Sequence, residues 1–319
     1  MNPITNPYAP GAGSQPPELS GREEIIDQTK ITLERVKRGY SAKSFILVGL
    51  RGVGKTVLLN QIYNIAKDSD YIPVIIEAQE NKTLPEILIP CLRKILLKLD
   101  SKERVNEKAK LGLMVLKSFA NSVKVSVGDI DIGLNIETAR GTADSGDLES
   151  DLADLLEAVG EAAKSQKQTV AIIIDELQYT SEEECGALIM AIHRVTLRQL
   201  PIILIGAGLP QLVGLAGQSK SYAERLFDYP EVGALTEKDA KNALKTPAIR
   251  EGVNYSDEAI NEIYNKTKGY PYFVLVWGYY SWNEASKSPI SIEDVNKATI
   301  TSIEKLDDRC FRVRFDRLT

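Results

Sequence analysis

Apolar residues follow two patterns along this chain. Short continuous runs occur at SFILVG (44–49), YIPVIIEA (71–78), TVAIIID (169–175) and PIILIGA (201–207). Runs of this length predict strands, and strands so apolar are buried on both faces when they sit inside a parallel sheet. Pro73 stands near the start of the second run, where a missing N–H is tolerated. Elsewhere apolar positions recur every three or four residues. That spacing predicts helices over 22–38, 57–67, 85–99, 103–119, 148–164 and 182–200. In the first of these Ile25, Ile26, Leu33 and Val36 share a face, and Ser20 with Glu23 reads as a capping box. In the fifth, Leu152, Leu155, Leu156 and Val159 do the same.

Strands alternating with helices predict an α/β fold, a mainly parallel sheet with helices on both faces in three layers. From Thr236 onward the pattern is helical without strands, near 236–246, 256–267, 271–285 and 291–304, which predicts an all-helical region. The stretch VKVSVGDIDIGLNIE alternates about Gly128 and Asp129, as a hairpin does, inside an insertion at about 100–146. Five prolines in residues 1–17 favour an extended arm, with the fold beginning after it. The expected organisation is an arm at 1–17, a sheet domain at 18–235, a helical domain at 236–305 and a basic segment at 306–319. No internal repeat is apparent.

Composition narrows the picture. With 319 residues and 43% apolar content the chain can bury an ordinary core. A net charge of -5 argues against nucleic-acid or anionic-membrane binding driven by the whole surface, while leaving room for a local basic strip. Cys91, Cys185 and Cys310 are odd in number and far apart, supporting neither a disulfide framework nor a tetrahedral metal site. No apolar run approaches the roughly 18 residues needed to span a bilayer. These features together fit a reducing, cytoplasmic setting. His193, the single histidine, falls within a helical pattern and is assigned no chemistry.

The candidate chemistry begins at GLRGVGKT (49–56), which satisfies G-x-x-x-x-G-K-[ST] and lies between an apolar strand and a helix, as a phosphate-binding loop must. Its glycines let successive amides turn inward toward phosphate oxygens, and the helix start adds its positive end. Arg51, Gly52, Val53, Gly54, Lys55, Thr56 and Val57 are therefore the expected nucleotide contacts. Lys55 reaches the β- and γ-phosphates, and the Thr56 hydroxyl joins a magnesium shell. GLAGQSKS (214–221) resembles this loop superficially, but its spacing is wrong and it reads as a polar loop.

VAIIIDE (170–176) places Asp175 and Glu176 at the carboxyl end of an apolar strand, where open α/β sheets bind their ligands. This is a Walker B pattern. Asp175 is expected to hold magnesium and Glu176 to orient or deprotonate the water that attacks the γ-phosphate. The alternative is a pair of solvated carboxylates capping the next helix.

These residues resemble P-loop ATPases of the AAA+ and STAND kind, especially origin-recognition-like ATPases of bacteria and archaea. Four segments carry the likeness: ELSGREEII (18–26), the phosphate loop, the acidic pair, and KGYPYFVLVWGYY (268–280), which resembles the G-x-P motif of a helical lid. The resemblance implies a P-loop NTPase domain followed by that lid, with ATP or ADP and Mg2+ bound and a conformational or assembly switch as output. It implies that Gly21 and Arg22 lie near adenine or ribose, and that Pro271 closes over the base. Arg225, in SYAERLF, matches the neighbourhood where related ATPases offer an arginine to an adjacent subunit; the alternative is a surface arginine paired with Glu224 or Asp228. Homo-oligomers or partner proteins are thus implied. DNA binding is implied only weakly, because the sequence leaves no room for a winged helix after RCFRVRFDRLT. Two departures stand out. GAG (206–208) offers no polar side chain at the sensor 1 position, and no arginine follows the G-x-P segment. The aromatic cluster of Tyr270, Tyr272, Phe273, Trp277, Tyr279 and Tyr280 reads as lid core.

Overall fold

The computed structural model describes residues 1–11, 16–100, 106–124, 137–220 and 223–307. Within them the chain forms two compact units. One comprises Ile25–Gly49 and Leu58–Glu231; the other comprises the described residues of Met1–Glu24, Leu50–Val57 and Val232–Thr319.

The first unit is built on a sheet. In chain order its elements are α1 (Glu23–Lys37), β1 (Ser44–Val48), α2 (Lys55–Asp68), β2 (Tyr71–Glu77), α3 (Leu84–Leu99), α4 (Glu107–Ser122), α5 (Leu148–Ser165), β3 (Thr169–Asp175), α6 (Glu182–Leu197), β4 (Ile202–Gly208), α7 (Gln211–Ser219), α8 (Ala223–Leu226) and β5 (Phe227–Asp228), with α1 and α2 each beginning in the other unit. The five strands are parallel in the order β2-β3-β4-β1-β5. Parallel neighbours need helical crossovers, and the helical spacing between the strand runs supplies them.

The three central strands β1, β3 and β4 are buried at every position. Side chains alternate in direction along a strand. Ile46, Val48, Val170, Ile172, Ile174, Ile202 and Leu204 join a core with α3, α4, α5 and α6. The intervening Phe45, Leu47, Ala171, Ile173, Ile203 and Ile205 are buried as well, so both faces of the sheet are covered. Each full burial of an isoleucine or leucine here contributes about 1.5–3 kcal/mol. Polar order matters at one point in this core. Asp151, 1% exposed in the first turn of α5, accepts hydrogen bonds from Ser122, from the Ser145 amide (3.1 Å) and hydroxyl (2.7 Å), and from the Gly146 amide (3.0 Å). The loop before α5 is thereby fixed.

Several expectations need correction. Glu23 does not complete a capping box with Ser20; its carboxylate accepts from the Gly21 amide at 3.3 Å, because the helix begins two residues later than that box requires. GLAGQSKS is not a polar loop. Residues 214–219 belong to α7, whose Leu212 and Ala216 are buried. The hairpin expected about Gly128 and the basic arginine strip after 306 lie outside the described residues.

The second unit gathers α9 (Glu237–Arg250), α10 (Asp257–Thr267), α11 (Pro271–Glu284) and α12 (Ile292–Leu306) around an aromatic core. The N-terminal arm is part of that core rather than outside it. Tyr8 is 1% exposed, donates to the Leu244 carbonyl at 2.5 Å, and meets Tyr255 and Trp282 edge to face at 6.5 and 6.4 Å. The Trp282 indole donates to Asn2 O at 3.0 Å, and Asn6 donates to Tyr279 O at 3.0 Å. Prolines around a single large aromatic give a segment that is extended yet anchored. Trp277 is buried with Tyr8, whereas Tyr279 and Tyr280 are partly buried against the same core.

Candidate functional site

The phosphate loop belongs to the helical unit, and its path is fixed by donors that clasp its carbonyls. Arg22 is 9% exposed; its guanidinium donates to Val53 O at 3.2 Å, Gly233 O at 2.6 Å and Gly21 O at 3.1 Å. Burial pulls its pKa below the usual arginine range, with Asp239 and Glu23 opposing. The Tyr270 hydroxyl donates to Arg51 O, and the Lys55 ammonium donates to Leu50 O at 2.9 Å. Carbonyls 50, 51 and 53 are thus turned toward the protein.

Gly52 and Gly54 have φ of 83° and 96°, in the region that favours glycine. A Cβ on Gly52 would stand 3.2 Å from the Tyr270 ring and 3.4 Å from Tyr272 Cβ, so the aromatic corner needs a glycine there. Gly54 faces open space. Among the described residues the amides of Gly52 and Gly54 have no protein acceptor. Glycine amides without acceptors, beside a lysine only 5% exposed at the start of α2, are what a polyphosphate would satisfy. Thr56 is exposed at the next position and Val57 is half-buried.

The Tyr270–Pro271 corner is itself tightly built. Pro271 is the first residue of α11, where its ring favours a helix start. Gly269 has φ 73°, its carbonyl accepts from Leu235 N at 2.8 Å, and a Cβ there would fall 2.2 Å from Leu235 O. Only glycine fits. Gly21, φ 72°, similarly leaves room for the Asp239 carboxylate.

The acidic pair belongs to the sheet unit. Asp175 ends β3, is 5% exposed, and accepts from the Glu176 amide at 2.8 Å. Glu176 has φ 55° and ψ 37°, a left-handed conformation that costs a non-glycine residue about 1–2 kcal/mol. Its carboxylate accepts from the Gln178 amide nitrogen, while Gln178 Oε1 accepts from Leu209 N at 3.1 Å. Gln178 therefore ties the glutamate to the end of β4. Sequence reasoning missed it; the signal was its place two residues after the acid in a tight turn. The GAG end of β4 is closely packed. A Cβ on Gly206 would lie 2.4 Å from Leu177 Cδ1, and one on Gly208 would lie 2.6 Å from Leu212 Cδ2 and 3.1 Å from Gln178 Oε1.

Arg225 is exposed on α8 and has no ion pair among the described residues. Of its two expected surface partners, Asp228 is paired with Lys43 at 3.0 Å. No group of three or more metal-ligating side chains occurs among the described residues. A nucleotide-bound magnesium ion needs only one or two protein oxygens plus water and phosphate, and the Thr56 hydroxyl and Asp175 carboxylate are oxygen donors of that kind. No helix of the described residues is long and apolar enough to cross a membrane.

A parallel sheet with a glycine-lysine loop after β1 and an acidic pair at the end of β3 defines a P-loop ATPase fold. Residues 18–205 match the AAA ATPase domain family, and the chain belongs to that family. Similar solved structures include Cdc6p from Pyrobaculum aerophilum (18% identity, TM-score 0.57, covering 95% of this chain and 71% of that one). The Orc1 protein of Aeropyrum pernix, solved in complex with DNA, matches at 14% identity and TM-score 0.52, covering 94% and 69%. The Holliday junction branch migration motor RuvB of Thermotoga maritima matches at 16% and 0.51, covering 92% and 78%. At these identities the likeness establishes the fold alone. No curated protein matches the chain.

Proposed function

We propose that this protein is a magnesium-dependent ATPase of low intrinsic turnover whose output is a change of conformation or assembly. The observation that carries the reading is the phosphate loop, with clasped carbonyls, glycine amides without acceptors, and a lysine nine-tenths buried beside them. In this reading the Gly52 and Gly54 amides and Lys55 hold the β- and γ-phosphates, and Arg51, Val53 and Val57 shape the loop around them. Thr56 and Asp175 hold magnesium, which neutralises phosphate charge. Glu176 orients the attacking water and takes its proton. Gln178 holds the glutamate carboxylate until substrate arrives. Gly21 and Pro271 border the base, and Arg22 acts through the loop it braces. Arg225 is offered to the nucleotide of a second copy of this chain.

Phosphate release tests the assignment of the acid. Glu176→Gln is expected to lower turnover by about 100- to 10,000-fold while ATP affinity holds; turnover equal to the unaltered protein would remove Glu176 from the mechanism. A second reading, a nucleotide-gated interaction module with negligible turnover, is favoured by the glycine-filled end of β4. ATP retained through purification with no phosphate release would select it. A third reading, an origin-recognition-like DNA-binding loader, rests on the Orc1 neighbour solved in complex with DNA and is opposed by the net acidic charge.

A further inference from the structure

A cleft of about 860 Å3 opens at the amino-terminal edge of the sheet, lined where α1, α2, α3, α5 and α6 end and the strands begin. Thr169, the first residue of β3, lines it. Asp175 closes the same strand six residues further on, about 20 Å away. The cleft is therefore independent of the nucleotide chemistry.

Its side chains are mostly cationic. Lys37, Arg38, Lys67, Lys98, Lys164 and Lys167 line it against a single carboxylate, Asp70. Lys37 pairs with that carboxylate at 3.0 Å, and Arg38 pairs with Glu34 at 2.6 Å. Among the described residues Lys67, Lys98, Lys164 and Lys167 have no acidic partner. Lysines also favour helix C-termini for a bland reason, because about half a negative charge gathers at each. Five such ends offset about half of the net five positive charges and leave the cleft positive, on a chain whose total is -5.

Two features go beyond dipole compensation. Three helix-to-strand turns place non-glycine residues in the left-handed region: Asp70 (φ 63°), Lys167 (φ 53°) and Gln199 (φ 50°). A glycine would relieve the strain at each; instead all three carry long or polar side chains that line the cleft. Second, Tyr40 stands at the cleft 62% exposed, with the Arg35 guanidinium 5.8 Å from its ring centroid. Arg35 in turn donates to Ser41 O at 3.1 Å, which fixes the turn carrying the ring.

We propose that this cleft binds single-stranded nucleic acid, with the four unpaired lysines on phosphates, Tyr40 stacked on a base, and Gln168 and Gln199 available to base edges. An acidic peptide would use the lysines but neither the aromatic face nor the amide carbonyls. The chemistry suits DNA and RNA alike.

Anisotropy of labelled oligo-dT and oligo-U, titrated at several salt concentrations in the absence of ATP, tests this with the full chain. Four phosphate contacts predict a slope of log K against log salt of about -3. The triple variant Lys98→Gln, Lys164→Gln, Lys167→Gln should flatten the slope to about -1, and the corresponding Glu triple should abolish binding. Tyr40→Ala should weaken binding about tenfold at unchanged slope. Lys55→Ala should bind the oligonucleotide normally. Because added glutamates alter total charge, Lys238→Glu, Lys287→Glu, Lys297→Glu serves as the control elsewhere on the surface, and thermal melting checks folding of every variant. The proposal is overturned if neither oligonucleotide binds, if the cleft Gln triple keeps the original slope, if the control Glu triple weakens binding as much as the cleft Glu triple, or if polyglutamate competes as well as unlabelled oligonucleotide. Preference for one nucleic acid over the other identifies the source.

Discussion

The phosphate loop and the acidic pair are held in place by opposite means. The loop depends on side chains distant in sequence: Arg22 clasps Val53 O and Tyr270 clasps Arg51 O, across 31 and 219 residues. The acidic pair is positioned mostly by its own segment, the end of β3, a left-handed turn at Glu176 and a glutamine two residues on, with one distant tie from that glutamine to Leu209 N. The geometry of the loop is thus a product of tertiary packing, whereas that of Glu176, the acid proposed to orient water, is set mostly within one short segment. Changes far along the chain should alter nucleotide affinity, while changes beside Asp175 should alter turnover alone.

Arg22→Met should break the first half of that contrast most strongly. Removing a buried guanidinium leaves the carbonyls of Val53 and Gly233 without its donors, a loss of about 2–3 kcal/mol in stability. ATP affinity should fall more than tenfold, read by melting and calorimetry; unchanged affinity in a folded variant would mean that the loop holds its own shape. Gln178→Ala is the reciprocal test. One hydrogen bond to a charged group corresponds to about tenfold in turnover, and kcat should fall while ATP affinity stays constant. A matched loss of affinity would tie the acid to the loop after all. The smallest effect is expected from Tyr270→Phe, about fivefold in affinity for one neutral hydrogen bond, with no change in kcat once the protein is saturated.

The same contrast explains what could be read from residues alone. The strands at 44–48, 169–175 and 202–208 were plain because aliphatic runs buried on both faces leave no other use for such sequence. Lys55, Thr56 and Asp175 stood out for a related reason, since they fall at the spacing that phosphate and magnesium chemistry would require. Tyr8 was not. A proline-rich start looks solvated until a pocket made by α9, α11 and Tyr255 accepts its one ring. Arg22 was marked by its motif, but only the fold shows its guanidinium turned to backbone carbonyls. Gly206 and Gly208 read as an absent sensor, and only the fold shows how closely Leu177, Leu212 and Gln178 pack there. The two-residue strand β5 carried too few residues for any periodicity to register.

Every role proposed at the nucleotide site depends on the clasped loop holding a nucleoside triphosphate. Isothermal titration of ATP with magnesium into the folded protein, beside Lys55→Ala, measures this directly. Saturable one-to-one binding that weakens by about 10- to 100-fold in the variant is the expected result. Absence of binding to the unaltered protein, or equal affinity in both, would contradict it.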